Sequence, residues 1–578
     1  MILQALTDLY DDLVEVGKIE RPGWSKQKIS YILSIDGEGK LLRVIPYLKL
    51  PAEGEKGRPE PIPAELPAAV KRSSGVSSNF LWDNSSYLLG MDAKGKPDRT
   101  VKCFEACRAL HRKILCGVDS ENSAAVLHFF DHWDPGDPSA IPEELFEQVI
   151  SGVNLMFRVD GKYPQDDPKI RKAWQKYSEG SDSKGEMQCL ITGEYETPQR
   201  IHPAVKGVAG AQSSGAALVS YNSPAFCSYE KEQNLNAPIG KSAAFAYTSA
   251  LNYLLADKEN VHRIGDTTIV CWAEGADPEY EDVFRDVLFD SGKENVHSIS
   301  NDELYSEIRR LAQGLPTQKL ALDPKRKFYV LGLAPNAARI SVSFFMRDCF
   351  GSLMDHVNRH YERMNIVKPA TDAYVMLPIW AVLRETVNLN SKDKSPSPSM
   401  ADATMRAVLQ GTRYPVSLLE AVMVRIHAER NVTRGRAAII KAYFLKNENP
   451  DCPKEVLTVS LNEESRNQAY LLGRLFSIYE EVQQKANPGI NTTIKDKYFN
   501  SAAASPARIF PVLDNLYQKH LRKLNTGMKI YYDRQVTEIK GRFEEQYPLH
   551  LNLPQQGSYN LGYYHQTQKR YTKKEETV

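Results

Sequence analysis

The chain has 578 residues, which is more than one hydrophobic core normally supports, so two to four domains are expected. Hydrophobic residues make up 42% and charged residues 25%, as expected of a soluble globular protein. The formal net charge of +1 excludes a basic field over the whole surface. Any nucleic-acid binding must therefore use local patches.

Cysteine usage and hydropathy predict a soluble, cytoplasmic protein. Eight cysteines are few for this length, and none forms a C-x-x-C pair, so reduced and mostly buried thiols are expected. The first residues, MILQALTDLYDDLVEVG, predict an acidic amphipathic helix rather than a signal peptide. No apolar run is long enough to span a bilayer, so no membrane partner is expected.

In chain order, the N-terminal part mixes helices and strands. Leucines at helical spacing predict a helix over residues 2–16. Two apolar runs separated by Gly37 and Gly39 predict a β-hairpin. The Pro, Glu and Gly residues of 51–67 predict a connector that holds no core element. Further predicted elements are a helix over 103–115, a strand over 262–274, and two strands over 326–346 around an Ala-Pro-Asn-Ala turn.

The C-terminal part is predicted to be helical. A polar Pro/Ser segment at 391–402 is a plausible linker. Residues 402–446 hold eight cations and three anions, and from Asn462 onward successive apolar stripes predict a helical bundle. The predicted fold class is therefore α+β, a mixed α/β N-terminal region followed by a C-terminal helical bundle. The predicted domains are 1–355, mixed α/β; 356–460, a helical, basic connecting region; and 461–578, the bundle.

The most informative segment is rich in glycine and small polar residues. Gly207, Gly210 and Gly215 surround Gln212, Ser213 and Ser214. Glycine lets the backbone approach a partner closely, and amide and hydroxyl side chains supply donors and acceptors without bulk. No nucleophile with an evident base lies among them, so the pattern favours a loop that holds a ligand rather than one that cuts it.

A second candidate surface lies between Lys71 and Gly90. Two adjacent cations precede a Ser/Gly turn whose backbone N–H groups suit phosphate, and two asparagines can read base edges or cap the turn. An ordinary surface turn and a nucleic-acid contact fit these residues about equally well. The candidate residues are Lys71, Arg72, Ser73, Ser74, Asn79 and Asn84.

Three other motifs have competing interpretations. Gly240-Lys241-Ser242 resembles the end of a phosphate-binding loop, but the first glycine of that motif is replaced by Leu235, which favours a simple helix start. The basic region could be a solvated face or could track a nucleic-acid strand; its strand-guiding candidates are Arg425, Arg430, Arg434 and Arg436. A metal site is conceivable in HFFDHWDP, but an interior polar cluster is favoured; the residues are His128, Asp131, His132 and Asp134.

Several stretches resemble the large subunit of the type I-C CRISPR Cascade complex (the Csd/Dvulg-type family). They include RSSGVSSNFLWDNSSYLLG, ITGEYETPQRIHPAVKGVAGAQSSGAALVSYN, FYVLGLAPNAARISVSFF and, near the end, GYYHQTQK. Together the resembling stretches span nearly the whole chain. The resemblance implies an α/β N-terminal domain followed by a bundle that is similar to the small subunit of such complexes.

The resemblance also implies a function in antiviral defence. Such a subunit is not a nuclease and needs no cofactor or metal. It recognises the protospacer-adjacent motif (PAM) on duplex DNA, promotes R-loop formation and guides the displaced single strand. The domain 1–355 would read the motif. The implied partners are crRNA, double-stranded target DNA, the Cascade backbone and crRNA-processing subunits, a small subunit and a helicase–nuclease.

Large subunits of this class use a glycine loop and a glutamine wedge, and Gln212 with its neighbours has the composition for both. Lys71 and Arg72 could instead contact the crRNA 5′ end or a neighbouring subunit. The small subunit of this family is also made from an internal start, here near residues 456–459, where no methionine stands. Two rivals remain: a metal-dependent nuclease that uses His128 and Asp131, and a purely structural protein that bridges subunits.

Overall fold

The chain folds into two compact units. The computed structural model describes residues 2–21, 23–49, 59–70, 76–93, 95, 97–179, 185–221, 223–289, 306–307, 310, 322–372, 374–543 and 546–571. The N-terminal unit comprises residues 1–203 and 219–253, and the C-terminal unit comprises residues 204–218 and 254–578. The glycine-rich segment therefore leaves the first unit and joins the second.

The N-terminal unit combines helices with three small sheets. Its helices are α1 (Ile2–Glu15), α2 (Ser85–Leu88), α3 (Pro97–Leu115), α4 (Glu121–His132), α5 (Glu143–Ile150), α6 (Pro168–Glu179) and, up to residue 253, α7 (Lys241–Ala256). Its strands are β1 (Trp24–Ile29), β2 (Tyr31–Ile35), β3 (Leu41–Pro46), β4 (Leu48–Lys49), β5 (Glu60–Pro67), β6 (Trp82–Asn84), β7 (Asn154–Val159), β8 (Met187–Gln188) and β9 (Tyr195–Glu196).

The core of this unit lies on a four-stranded sheet of order β3-β2-β7-β6. The predicted hairpin is confirmed, since β2 and β3 pair antiparallel, and β2 also pairs parallel with β7. Every residue of β2 is buried, as expected for a central strand that is covered on both faces. Phe129 and Phe130 of α4 and Phe157 of β7 pack edge-on against one another in this core.

Two predictions were wrong. Residues 262–274, predicted as one strand, form two antiparallel strands, His262–Ile264 and Thr267–Ala273, and the predicted connector contains a strand. Residues 60–67, taken from composition as part of a connector without a core element, form β5, whose residues 62–67 pair antiparallel with β1 and whose first two residues pair with β4. Leu66 of this strand is fully buried. Its prolines stand at alternate positions, so the missing N–H groups all fall on one side of the strand, while Ile62 N still donates to Tyr47 O at 3.3 Å.

The C-terminal unit begins with an antiparallel sheet of order β10-β11-β12-β13 and continues as helices. Its strands are β10 (His262–Ile264), β11 (Thr267–Ala273), β12 (Lys327–Asn336) and β13 (Arg339–Cys349). Its helices are α8 (Pro278–Leu288), α9 (Phe350–Met364), α10 (Ile379–Arg384), α11 (Pro398–Gln410), α12 (Val416–Glu429), α13 (Arg434–Asn447), α14 (Gln468–Ala486), α15 (Ile494–Ala504), α16 (Pro506–Leu521), α17 (Thr526–Lys540) and α18 (Leu553–Lys569).

Helices α14 and α18 approach each other closely because glycines face the partner backbone. A Cβ on Gly473 would overlap the carbonyl oxygen of Tyr559, and one on Gly562 would overlap that of Tyr470. Hydrogen bonds reinforce the pair: Tyr470 Oη lies 2.9 Å from His565 Nδ1. This close contact organises the C-terminal bundle.

The predicted fold class is confirmed, because the described strands end at Cys349 and the described chain beyond it is helical. The predicted boundaries near residues 355 and 460 do not coincide with the two compact units; both lie inside the C-terminal unit, whose buried core runs from Ile264 to Tyr564. All eight cysteines are thiols without a disulfide partner. Among the described helices, none is both long and apolar enough to cross a membrane.

Candidate nucleic-acid interface

Residues 204–218, here called the glycine loop, form a closed loop in the C-terminal unit. Val205 and Ala216 pair across its base, with Val205 N donating to Ala216 O at 2.9 Å and Ala216 N donating to Val205 O at 2.8 Å. Both side chains are buried. The residues between them are therefore held as a loop of fixed entry and exit rather than as a length of open coil.

The β-sheet of the same unit anchors the glycine loop. Ala217 N donates to Ala338 O, and Ile340 N donates to Ala217 O, each at 3.0 Å, so the end of the loop pairs with the start of β13. Ala209 N donates to the hydroxyl of buried Thr268 on β11, also at 3.0 Å. These hydrogen bonds give partners to backbone groups that packing would otherwise leave buried and unpaired. They also fix the loop to a rigid scaffold.

The glycines of this loop are required by its backbone. Gly207 and Gly215 have φ values of +97° and +106°, which side chains of the L configuration rarely adopt. A Cβ on Gly215 would lie 2.7 Å from the Cβ of Ala204, inside contact distance. Glycine therefore serves both the turn and the narrow base of the loop.

The tip of the glycine loop presents its polar side chains to solvent. Gln212, Ser213 and Ser214 are all exposed, and Gly215 N closes a turn onto Gln212 O at 2.9 Å. No carboxylate occurs in residues 204–218, and Lys206 is exposed on the same loop. The tip thus offers hydrogen-bond donors and acceptors beside a cation and without a negative charge, which suits a phosphate-bearing ligand.

The second predicted surface is only partly described. Lys71, Arg72, Ser73 and Ser74 lie outside the described residues. Asn79 is 4% exposed; its Oδ1 accepts from Val70 N at 3.0 Å. Asn84 caps the N-terminus of α2 by accepting from Ser86 N at 3.1 Å. Asn84 therefore caps its own turn, which is the capping alternative considered for it, whereas Asn79 is engaged by the backbone nine residues earlier.

A buried histidine fixes the backbone between these two asparagines. His111 of α3 accepts from Leu81 N through Nε2 at 2.9 Å and therefore carries its proton on Nδ1, which donates to Cys107 O at 2.8 Å. Burial lowers the pKa of His111 to about 4, with the bond to Cys107 opposing the shift, so the ring is neutral near pH 7. Leu81 is held at a positive φ of 65° by this contact.

Two of the four arginine candidates are buried and engaged, one is half-buried and one is exposed. Arg434 binds Asp372 Oδ2 at 2.9 Å and the carbonyl oxygens of Tyr374 and Val375, each at 2.7 Å. Arg436, 4% exposed, binds Glu429 Oε2 at 2.5 Å. These guanidiniums hold the start of α13 and are already engaged, so they offer little to a phosphate.

The other two arginines lie at the end of α12. Arg430 is exposed and caps the helix in the left-handed conformation, with a φ of 52°. Arg425 is half-buried and lies 3.6 Å from Glu429 Oε1, a long contact. Of the four predicted strand-guiding arginines, Arg430 is therefore the one best placed to meet a nucleic-acid strand, with Arg425 beside it.

The structure accounts for the apparent phosphate-loop motif. The start of α7 is occupied by the carboxylate of Glu196, whose Oε2 accepts from Ser242 N at 3.1 Å and whose Oε1 accepts from the hydroxyl of Ser242 at 2.9 Å. A Cβ on Gly240 would overlap the same carboxylate. An anion already fills this helix N-terminus, so the motif is a helix start, as its sequence favoured.

The residues of HFFDHWDP are engaged in local structure. Asp131 pairs with Arg112 at 2.5 Å and with Arg108 at 3.6 Å, and Asp134 Oδ1 accepts from Gly136 N at 2.8 Å. Within the described ranges, no three His, Cys, Asp or Glu side chains lie together as ligands for a metal ion. The described residues therefore offer no metal site to the alternative hypothesis of a metal-dependent nuclease.

The β12–β13 hairpin belongs to the same surface, which sequence reasoning missed. Arg339 follows the turn and pairs with Ala217 of the glycine loop, and Asn336 is exposed at the turn. The sequence predicted this turn but offered no sign of what lay beside it. The pairing brings the backbone of Arg339, a second cation, beside the loop.

Comparison with known proteins supplies the family. No curated protein matches the chain. The family model of the CRISPR-associated protein Cas_Csd1 matches residues 6–571, nearly the whole chain. This agrees with the resemblance to the large subunit of type I-C Cascade. The chain belongs to the Cas_Csd1 family of CRISPR-associated proteins.

Proposed function

We propose that this protein is the large subunit of a crRNA-guided type I-C Cascade complex and that its glycine loop reads the protospacer-adjacent motif on duplex DNA. Family membership supports a place in a CRISPR complex. The observation that carries the motif-reading proposal is the construction of the loop: Val205 and Ala216 fix its base, and Gln212 stands exposed at its tip. A rigid base lets a small tip enter a groove without the entropic cost of ordering it there.

Gln212 is the proposed wedge. Its amide has two N–H donors and one carbonyl acceptor, so it can bond base edges that lose their partners when it enters the stack. Unstacking costs a few kcal/mol per base step, which contacts to the opened DNA must offset. Lys206 and Arg339 are the cations proposed to meet the flanking phosphates. Pairing between guide RNA and target strand would then supply the long sequence specificity.

The displaced strand is proposed to pass over Arg430 and Arg425. A cation-lined surface binds a single strand without sequence preference, and exposure of Arg430 supports this role. The other proposed partners are crRNA, the backbone and crRNA-processing subunits, a small subunit and a helicase–nuclease that cuts the opened DNA. The protein itself is proposed to bind and not to cut.

Duplex opening tests the wedge directly. The complex assembled on crRNA would be mixed with target duplexes that carry 2-aminopurine beside the motif, whose fluorescence rises when the base unstacks. We expect Gln212→Ala to slow opening at least about tenfold, roughly 1.4 kcal/mol in the barrier, while crRNA-dependent assembly is unchanged. Gln518→Ala, at an exposed glutamine of α16, is the matched control. Equal loss of opening and assembly in Gln212→Ala would contradict the wedge.

The nuclease rival has a separate test. Purified protein would be incubated with duplex and single-stranded DNA in Mg²⁺ or Mn²⁺, with no helicase–nuclease present. The proposal predicts uncut DNA at all times, and His128→Ala and Asp131→Ala variants with unchanged motif-dependent binding. Metal-dependent cleavage that these substitutions abolish would replace the binding role with a catalytic one.

A further inference from the structure

Another surface of the N-terminal unit, separate from the Lys71–Gly90 segment, has the character of a protein interface. Residues 186–202 and 223–240, here called the docking module, are held together by a buried amide: Asn234 Nδ2 donates to Gln199 O at 2.9 Å and to Ile239 O at 3.0 Å. Cys189 Sγ accepts from Gly240 N at 3.3 Å. The module is thus one hydrogen-bonded piece rather than a set of loose loops.

The docking module exposes large apolar and aromatic side chains. Seven such side chains are at least 65% exposed in the described part of the chain, and four of them belong to this short module. They are Leu190 at 69%, Tyr195 at 70%, Ile201 at 76% and Tyr229 at 93%. Single exposed hydrophobic residues are normal on a protein surface, whereas four within one short hydrogen-bonded module favour a role in binding a partner.

The tyrosine is held outward by a tight turn. Tyr229 and Glu230 have φ values of 52° and 58°, and Lys231 N donates to Ser228 O at 2.9 Å. Non-glycine residues at positive φ are strained and persist where the surroundings over-determine them. Asn236 supplies part of that support, since its Nδ2 donates to Phe226 O at 2.7 Å beside the turn. The ring is therefore presented on a braced turn.

Charge decides the class of partner. The docking module has five carboxylates and two cations, a net charge of −3; the charged residues are Glu186, Glu194, Glu196, Glu230, Glu232, Arg200 and Lys231. A negative surface repels phosphates, so nucleic acid is disfavoured here despite the aromatic rings. Tyrosines are enriched at the centres of protein interfaces, where an apolar ring is buried with its hydroxyl hydrogen-bonded.

We propose that the docking module binds another protein subunit of the CRISPR complex, through a partner face of apolar pockets rimmed by Lys and Arg. Tyr229 and Ile201 would fill those pockets, and Glu230 and Glu232 would meet the rim. The proposal rests on membership of the complex and not on motif reading by the glycine loop. Either proposal can therefore fail while the other stands.

Site-directed photocrosslinking identifies the class of partner. p-Benzoylphenylalanine would replace Ile201 or Tyr229 in complexes assembled on crRNA, with Leu42, exposed on β3 of the same unit, as the control position. We expect both module positions to crosslink to peptides of one protein subunit that contain Lys or Arg. Crosslinks to crRNA or DNA alone, or crosslinking no stronger than at Leu42, would overturn the proposal.

Substitution supplies a second readout. We expect Ile201→Ser combined with Tyr229→Ser to weaken association with the crosslinked subunit at least about tenfold, while Leu42→Ser leaves it unchanged. Circular dichroism of the isolated chain would check that the double variant is folded. Glu230→Lys combined with Glu232→Lys should weaken the same association, most strongly at low salt. A folded double serine variant that associates like wild type would also overturn the proposal.

Discussion

Val205 and Ala216 are joined by two backbone hydrogen bonds of 2.9 and 2.8 Å, and this pair fixes the base of the glycine loop. Ala217, the next residue, pairs with the start of β13. The tip of the loop is therefore positioned by the sheet and not by its own side chains. Substitutions at the base should alter what the tip can do, even though they touch no ligand.

Gly215→Ala tests this positioning. The added Cβ would meet Ala204 Cβ at 2.7 Å on a backbone with a φ of +106°, so the base must shift. We expect motif-dependent duplex binding to fall at least about tenfold, or roughly 1.4 kcal/mol. Gly117→Ala is the control, because Gly117 also has a positive φ of 86° but no atom within 4 Å of an added Cβ. Similar losses in both variants would show that the loop base is not special.

Substitution of Arg436 should lower the stability of the fold, whereas substitution of Arg430 should weaken DNA binding. Arg436→Ala would leave Glu385 and Glu429 without their buried cation, and burial already raises the pKa of the Glu385 carboxyl. We expect a loss of about 3–5 kcal/mol in the free energy of unfolding, measured by urea denaturation.

Arg430→Ala should behave in the opposite way. Its side chain is exposed, so the free energy of unfolding should change by no more than about 0.5 kcal/mol. Loss of a phosphate contact should weaken binding of single-stranded DNA and reduce the salt dependence by about one unit of slope. Unchanged binding, or a marked loss of stability, would remove Arg430 from the proposed strand path.

Buried histidines predict a specific acid sensitivity. Burial lowers the pKa values of His360 and His565 to about 3, below the value of about 6.5 for an unfolded chain. Between these pH values the unfolded chain binds more protons, so stability falls as the pH drops below 6.5. The slope from the two groups is up to roughly 3 kcal/mol per pH unit.

Urea denaturation between about pH 4.5 and 7 measures this slope. This range runs from about two units below the ordinary histidine pKa to neutrality. We expect His360→Asn to reduce it by up to roughly 1.4 kcal/mol per pH unit, because an amide takes up no proton. His550→Asn, at an exposed histidine, is the control and should leave the slope unchanged. The same slope in all three proteins would contradict the assignment of neutral, buried imidazoles.

Lys441 predicts a pH dependence of the same sign at alkaline pH. It is buried on α13, its Nζ donates to Arg363 O at 3.0 Å, and burial lowers its pKa to about 8. Between pH 8 and the unfolded value of about 10.4, the unfolded chain holds the extra proton, so stability from this group rises with pH. At pH 7 the folded protein bears the cost of a buried ammonium group.

We therefore expect Lys441→Met to raise the free energy of unfolding at pH 7 by roughly 1–3 kcal/mol and to lose the rise between pH 8 and 9.5. The difference from wild type isolates this group from tyrosines that titrate at higher pH. Lys519→Met, at an exposed lysine of α16, is the control. A destabilised Lys441→Met protein would mean that the ammonium group is needed for the fold.

Periodicity and turn chemistry predicted much of the fold. The hairpin at Gly37 and Gly39, the two strands around the Ala-Pro-Asn-Ala turn and the C-terminal helices are all present. The strand at 60–67 was missed because each of its prolines, taken alone, disfavours a β-strand. Only the pairing with β1 reveals that they fall on alternate positions of one strand.

The candidate site was predictable in composition but not in geometry. Sequence identified the glycines and Gln212, since their conformational freedom and hydrogen bonding are properties of single residues. It could not rank the arginines, because the carboxylates that engage Arg434 and Arg436 include Asp372 and Glu385, far away in the chain. Arg339 was missed for the same reason: only the folded sheet brings it to the glycine loop.

Motif-dependent binding by the assembled guide complex tests the central claim most directly. Duplex targets that match the guide would be titrated with and without a candidate motif beside the match, for wild type and for Gln212→Ala. The account predicts binding that requires the motif and that the substitution weakens. Motif-dependent binding left intact by the substitution would move the reader toward Lys71–Asn84, and binding indifferent to every motif tested would contradict the account.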